Sequence, residues 1–167
     1  MATILRFVVF SSGRVAMKAV VQRVKQTNLC VDGREISSIA RGLTVFLGVG
    51  VGDAEKDGDY LAKKIAALRI FEDGQGKMNL SVQDVGGEVL LVSQFTLYGD
   101  ASHGNRPSFS LAERPEWANA LYLYTAERLR ELGVTVKLGV FGADMQIVQQ
   151  NDGPVTILLE SSERKKK

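Results

Sequence analysis

The sequence predicts an α+β fold, mostly antiparallel sheet with two main helices. Three observations predict it. β-rich runs outnumber helical stripes and come in series, in the order β-β-β-α-β-α-β-β-β, which argues against a doubly wound parallel sheet. Only two segments carry apolar residues at helical spacing. A chain of 167 residues, 45% of them hydrophobic, suits a single domain with a core of its own.

Each element has a local reason. Ala19 to Val24 alternates and reads as a strand, with Val20 and Val24 on one side and Arg23 on the other, toward solvent. Asn28 to Val31 reads as a second strand, ended by the turn Asp32-Gly33. Leu43 to Val51 is a continuous β-rich run, expected to be a central strand buried on both faces. Gly48, Gly50 and Gly52 alternate at its end. Their spacing fits neither the dinucleotide fingerprint nor a phosphate loop, so close backbone packing is the better reading.

Asp53 can cap a helix running to about Arg69, with Leu61, Ile65 and Leu68 inward and Lys63 and Lys64 outward. Glu72-Asp73-Gly74 reads as a turn. Glu88 to Leu97 is the most apolar strand, and Gly99 to Pro107 a polar loop. Pro115 opens the second helix at its first position. Ala118, Leu121, Thr125, Leu129 and Leu132 form its inner stripe, and Gly133 ends it. Strands are expected at Val134 to Phe141, Met145 to Gln150 and Val155 to Glu160. The last two flank Asn151-Asp152-Gly153-Pro154, which reads as a hairpin connection.

Composition narrows the chemistry. One cysteine, Cys30, excludes an internal disulfide. One histidine, His103, excludes a zinc site made only of His and Cys and leaves a single base for any Ser-His-Asp triad. No cofactor motif appears, no Asp/Glu cluster has convincing ligand spacing, and no metal is expected. No run of about 18 apolar residues predicts a membrane span. The expected compartment is the cytoplasm.

The chain carries 21 Lys and Arg against 19 Asp and Glu, a net +2. That excess sits at the ends, in Arg6, Arg14 and the tail 163–167, while residues 17–162 are net acidic. A non-specific nucleic-acid coat is not supported, and no DNA partner is expected. Residues 1–16 are expected to be an extension preceding a start at Met17, residues 17–162 a single domain, and residues 163–167 a solvated basic tail.

Two segments are chemically odd. Ser93-Gln94-Phe95-Thr96 places polar side chains at the end of a greasy strand, Ser93 and Phe95 on one side, Gln94 and Thr96 on the other. Such a strand end can aim backbone N–H groups at a carbonyl oxygen, though a strand simply leaving the core explains the composition as well. In Asn151 to Thr156, Pro154 cannot donate to a sheet ladder and belongs at a strand start or edge. Statistics alone favour a trans bond there, since about 5–6% of X–Pro bonds in folded proteins are cis.

Together these segments resemble the signature pair of the D-aminoacyl-tRNA deacylases of bacterial and eukaryotic type: Ser-Gln-Phe-Thr-Leu at 93–97 and Gly-Pro-Val-Thr at 153–156. Met17 to Val24, Arg69-Ile70-Phe71, Gly76 to Leu80 and Arg106 to Phe109 are similar to the family pattern too, so the resemblance spans about Met17 to Glu160. It implies a barrel-like fold, a homodimer, and hydrolysis of the ester joining a D-amino acid to the acceptor end of tRNA. It implies that Gly153 and cis-Pro154 of one subunit enter a pocket around Ser93, Gln94, Phe95 and Thr96 of the other, steadied by Arg23. It implies chemistry assisted by the terminal ribose 2′-OH, with the Gln94 and Phe95 backbone N–H groups as oxyanion donors. Lys63, Lys64, Lys77 and Arg106 are weaker candidates for tRNA contacts.

Three other readings fit parts of the sequence. A non-catalytic RNA- or protein-binding domain would keep the fold without turnover. A small-molecule Ser or Thr esterase would need a base beside Thr96. An L-specific editing enzyme would differ only in the chirality it accepts.

Overall fold

The computed structural model describes residues 15–163. Most of the expected extension and all but Glu163 of the expected tail lie outside them. Ala16 is buried, and the Tyr98 hydroxyl lies 2.7 Å from its carbonyl oxygen.

The chain runs β1 (Lys18–Val31), β2 (Arg34–Ile39), β3 (Gly42–Gly48), α1 (Glu55–Ala67), β4 (Phe71–Glu72), β5 (Met78–Leu80) and β6 (Glu88–Ser93). A 3-10 turn (Phe95–Tyr98), α2 (Pro115–Glu131), β7 (Thr135–Leu138) and β8 (Gln146–Glu160) follow. The main sheet is ordered β2-β1-β3-β6-β7, with β8 on β1. β1 pairs antiparallel with β2, β3 and β8, whereas β3–β6 and β6–β7 are parallel. The β6–α2–β7 unit is a helical crossover, the connection that parallel neighbours require. Ser37 on β2 donates to the Leu138 carbonyl on β7 at 2.6 Å, and the Lys137 ammonium donates to the Ser38 carbonyl at 2.7 Å. The sheet thereby curls toward a barrel.

One face of β1, β3 and β6 buries Ala19, Val21, Leu43, Val45, Leu47, Val89 and Leu91 under the two helices. The predicted inner residues of both helices lie on this side. The opposite face encloses a smaller core of Val24, Leu29, Ile39, Leu90 and Val92. β3 is buried almost throughout, as its continuous apolar run predicts. The helices cross closely because Gly58 has no side chain: a Cβ there would stand 2.7 Å from Thr125 Oγ1.

Several local expectations give way to pairing across the sheet. The two strands expected at 19–24 and 28–31 are one strand, β1, because β8 pairs along nearly its whole length. The Arg34–Ile39 strand and the short β4–β5 hairpin escape periodicity, being polar or brief. Asp53 does not cap α1. Its carboxylate accepts from the Gly50 N–H at 2.7 Å, while Asp57 accepts from the Ala54 N–H at 3.0 Å. The strand expected to reach Leu97 stops at Ser93 and turns into the 3-10 turn, so the side alternation expected for Ser93 to Thr96 does not hold.

The largest correction concerns Asn151 to Pro154. They are no hairpin. β8 is a single strand, and the segment between Asn151 and Thr156 bulges opposite Arg23 of β1. Arg23 is buried rather than solvated. A bulge in one strand leaves backbone carbonyls without a ladder partner, and the guanidinium of the facing Arg23 satisfies that of Asp152.

Candidate active site

The 3-10 turn after β6 sits against the end of β3. Gly48 makes room for it: a Cβ there would lie 3.0 Å from the Gln94 carbonyl oxygen and 3.0 Å from the Tyr98 ring. At Gly50 a Cβ would meet the Tyr98 ring and hydroxyl at 3.0 Å. Close backbone packing is therefore what these glycines serve. The Tyr98 hydroxyl also lies 2.9 Å from the Gly48 carbonyl. Burial, then the nearby Asp53 and Glu160 carboxylates, hold its pKa far above that of an ordinary phenol.

A cavity of about 520 Å³ opens beside this turn. Ser93, Gln94 and Phe95 form one wall, Glu113, Pro115, Ala118 and Tyr122 a second, and Phe141 to Met145 a third. Tyr122 is anchored by its hydroxyl, which donates to the Leu91 carbonyl at 2.7 Å. Phe95 is largely exposed and packs edge-on against Phe109, with ring centroids 5.1 Å apart. The lining is mainly apolar with a few polar groups, Ser93, Gln94, Glu113 and Asp144, the usual make-up of a small-molecule site.

The polar groups divide clearly. The Gln94 N–H donates to the Leu47 carbonyl at 2.9 Å, so it is committed to the sheet and is not an oxyanion donor. The Phe95 N–H opens the 3-10 turn, where a first-turn amide lacks an intrahelical acceptor. The Gln94 side-chain amide donates to the Thr96 hydroxyl. His103 lies in the exposed loop and pairs with the Ser102 hydroxyl at 3.2 Å, so it is not the base of a triad with Thr96.

Gly153 and Pro154 stand elsewhere on the surface. Both are exposed, the bond between them is cis, and Gly153 has φ 128°. Arg23 Nε donates to the Asp152 carbonyl at 3.1 Å and Nη1 donates to the Ile70 carbonyl at 2.6 Å. The Asp152 carboxylate lies 3.4 Å from Nε. This one side chain ties the bulge to the segment entering the β4–β5 hairpin.

Register gives the separation of the two segments. Ser93 lies in line with Leu47, Ala19 and Leu159, while the bulge faces Arg23, which is in line with Leu43 and Val89. The offset is four residues along the strands and three strand spacings across, roughly 20 Å over the sheet. One chain does not bring Gly153-Pro154 to the cavity.

The other predicted residues are dispersed. Arg106 lies on the loop that rejoins at the Asp100–Ser108 bridge, next to Phe109. Lys63 and Lys64 lie on the outer face of α1, and Lys77 on the β4–β5 turn. Among the described residues no group of three His, Cys, Asp or Glu is placed to hold a metal ion, and no helix is long and apolar enough to cross a membrane. Sequence reasoning missed Tyr122, Phe141 and Met145. For Phe141 and Met145 the signal is the apolar run around Gly142, masked because the strand expected over Val134 to Phe141 ends at Leu138, while Tyr122 lies beside the predicted inner stripe of α2.

Comparison with known proteins shows the family and the fold. Residues 20–160 match the family model of D-Tyr-tRNA(Tyr) deacylase. A D-aminoacyl-tRNA deacylase of Anaeromyxobacter dehalogenans is 59% identical over 145 residues, covering 87% of this chain and 97% of that protein. One from Desulfitobacterium hafniense is 54% identical over the same shares. The solved structure of a c-Myc DNA Unwinding Element Binding Protein superposes with TM-score 0.80 at 46% identity, covering 86% of this chain and 97% of the other. A probable eukaryotic D-amino acid tRNA deacylase, 17% identical, shares the fold with TM-score 0.74 over 87% of this chain and 99% of its own. With a family model matching residues 20–160 and relatives more than half identical over 87% of its length, this chain belongs to the D-aminoacyl-tRNA deacylase family of ester hydrolases.

Proposed function

We propose that the chain hydrolyses the ester of D-aminoacyl-tRNA to free amino acid and tRNA, as a homodimer in which Gly153-Pro154 of one copy completes the cavity that Ser93, Gln94 and Phe95 of the other line, with Thr96 beside it. The observation that carries this reading is the separation of the two exposed segments within one chain, roughly 20 Å over the sheet. Exposed Leu158, on the same strand as the bulge, supplies apolar surface for a second copy.

Selection by chirality follows from main-chain chemistry. A site for many amino acids cannot read side chains, so it reads the arrangement around Cα. The carbonyls of Gly153 and Pro154, next to the Asp152 carbonyl that Arg23 holds, accept from the ammonium of a D substrate. An L side chain collides with the same wall, which is rejection by exclusion. Glycine has no side chain to exclude, so glycyl-tRNA is cleaved as well.

In the chemical step water adds to the ester carbonyl, the carbonyl–ribose oxygen bond breaks, and the ribose takes up the proton. The Phe95 N–H faces the developing oxyanion, a contact typically worth ~10²–10³ in rate. The Thr96 hydroxyl is engaged by Gln94 and no histidine stands beside it, which favours the terminal ribose 2′-OH as the group that activates attack. Arg106, on the Phe95 side, is the foremost tRNA contact among the cations, with Lys63, Lys64 and Lys77 farther out. The reaction belongs in the cytoplasm, with charged tRNA.

A second reading is a nucleic-acid-binding domain without turnover, favoured by the 46% identical relative, which carries the name of a DNA-binding protein. One assay separates the two: deacylation of matched D- and L-tyrosyl-tRNA, with and without EDTA. Release of D-tyrosine with the L ester surviving and EDTA harmless is expected. Equal cleavage of both overturns the chirality filter. No cleavage by a folded protein leaves the binding domain as the reading that stands.

A further inference from the structure

The cavity beside Ser93 has a neighbour. A second cleft of about 560 Å³ opens on the far side of Val49 and Glu113, which line both. Arg114, Trp117 and Tyr124 stand along it, with Asp53 at its floor. Trp117 is 69% exposed on the first turn of α2. Trp117 thus offers a large aromatic face to solvent at the side of this cleft, where a planar partner can stack on it. The Glu113 carboxylate that separates the cavities is itself held, by the Gly52 N–H at 3.1 Å and the Arg114 N–H at 2.8 Å.

We propose that this cleft receives the penultimate nucleotide of the tRNA, its base stacked on Trp117 and its phosphate facing Arg114, while the aminoacylated terminal adenosine occupies the first cavity. The inference rests on the reading of that cavity as the ester site. Chain continuity supports it: successive nucleotides are joined by one phosphodiester, and the two cavities share walls. The chemistry agrees. Every tRNA ends in C-C-A, an aromatic ring stacks any base, and a carboxylate such as Glu113 can accept from the exocyclic amine of cytosine. Asp53, Glu55 and Glu113 make the cleft acidic, so stacking rather than phosphate attraction provides the affinity, and binding survives raised salt.

Trp117 is the only tryptophan in the chain, so its fluorescence reports on the cleft directly. Titration with the trinucleotide CpCpA is expected to quench it, at low and at raised salt, while adenosine 5′-monophosphate leaves it unchanged. In parallel, W117A is expected to lower the ratio of kcat/KM on D-tyrosyl-tRNA to that on D-tyrosyl-adenosine about tenfold, the range of one lost base stack, and W117F to recover most of it. Emission unmoved by CpCpA, or quenched equally by the mononucleotide, overturns the proposal, as does an unchanged ratio in W117A. If the unaltered protein cleaves D-tyrosyl-adenosine while the subsite tests fail, only the subsite is lost. If it cleaves neither substrate, the ester-site reading falls and takes the subsite with it.

Discussion

Arg23 Nε donates to the carbonyl oxygen of Asp152 at 3.1 Å, one residue before the Gly153-Pro154 pair and across the strand from it. The same guanidinium reaches the Ile70 carbonyl, so the bulge is held from a buried side chain beneath it. R23A removes both bonds and is expected to cost about 2 kcal/mol of stability, as for buried hydrogen bonds to a charged group. R23K keeps the charge but not the two-pronged geometry and is expected to recover little. Urea unfolding together with D-tyrosyl-tRNA turnover checks this. Native stability with full turnover in R23A would remove Arg23 from the positioning of the bulge.

Gly153 has φ 128°, and a Cβ there would stand 2.8 Å from Val155 Cγ2 and 2.9 Å from the Val155 nitrogen. G153A must therefore shift the bulge, at a cost of order 1–3 kcal/mol in local strain. The expected result is a drop in D-tyrosyl-tRNA turnover of at least tenfold, with a melting temperature lowered by about 2–12 °C, the shift that this strain produces in a domain of this size. Unchanged turnover would contradict a positioned Gly153 carbonyl.

Thr96 is exposed, and its hydroxyl accepts from the Gln94 amide with no histidine at hand. T96A is expected to lower kcat by about tenfold without abolishing it, the loss of one orienting contact rather than of a nucleophile. Single-turnover kinetics decide. Complete loss, with fold and substrate binding intact, would make Thr96 the nucleophile.

Tyr122 is buried under the cavity, and burial pushes its phenol up to about 12 from 10.0. A raised pKa means that the folded state holds its proton longer than the unfolded chain does. Stability is therefore full below pH 10 and falls as pH rises from 10 through 12. Melting curves across that window are expected to show the loss, and Y122F to flatten it in part, Tyr98 contributing the rest through its own raised pKa. At neutral pH Y122F is expected to cost about 1 kcal/mol, for its bond to the Leu91 carbonyl.

The signals that survived folding are local ones. The stripe of Leu121, Thr125 and Leu129 sets α2, the unbroken apolar run sets β3, and the crowded glycines mark close packing, because side-chain period and size act within a few residues. The motif residues at 93–96 and 153–154 were legible as peptides, and family likeness carried their meaning.

What the sequence by itself determined is therefore the class of fold and the inward faces of its helices, with two segments marked out as candidates. Only the tertiary structure decided where those segments stand and what they bond. A strand partner on β8 joined two predicted strands into one, turned an expected hairpin into a bulge and placed Arg23 in the interior, where it satisfies the Asp152 carbonyl. The Leu47 carbonyl claimed the Gln94 N–H, and the apolar third wall came from Phe141 to Met145, far along the chain. Pairing and cavity formation depend on residues from 47 positions apart, Leu47 with Gln94, to 142, Lys18 with Glu160, and no pattern within one window of sequence records which distant backbone will supply the missing hydrogen bond.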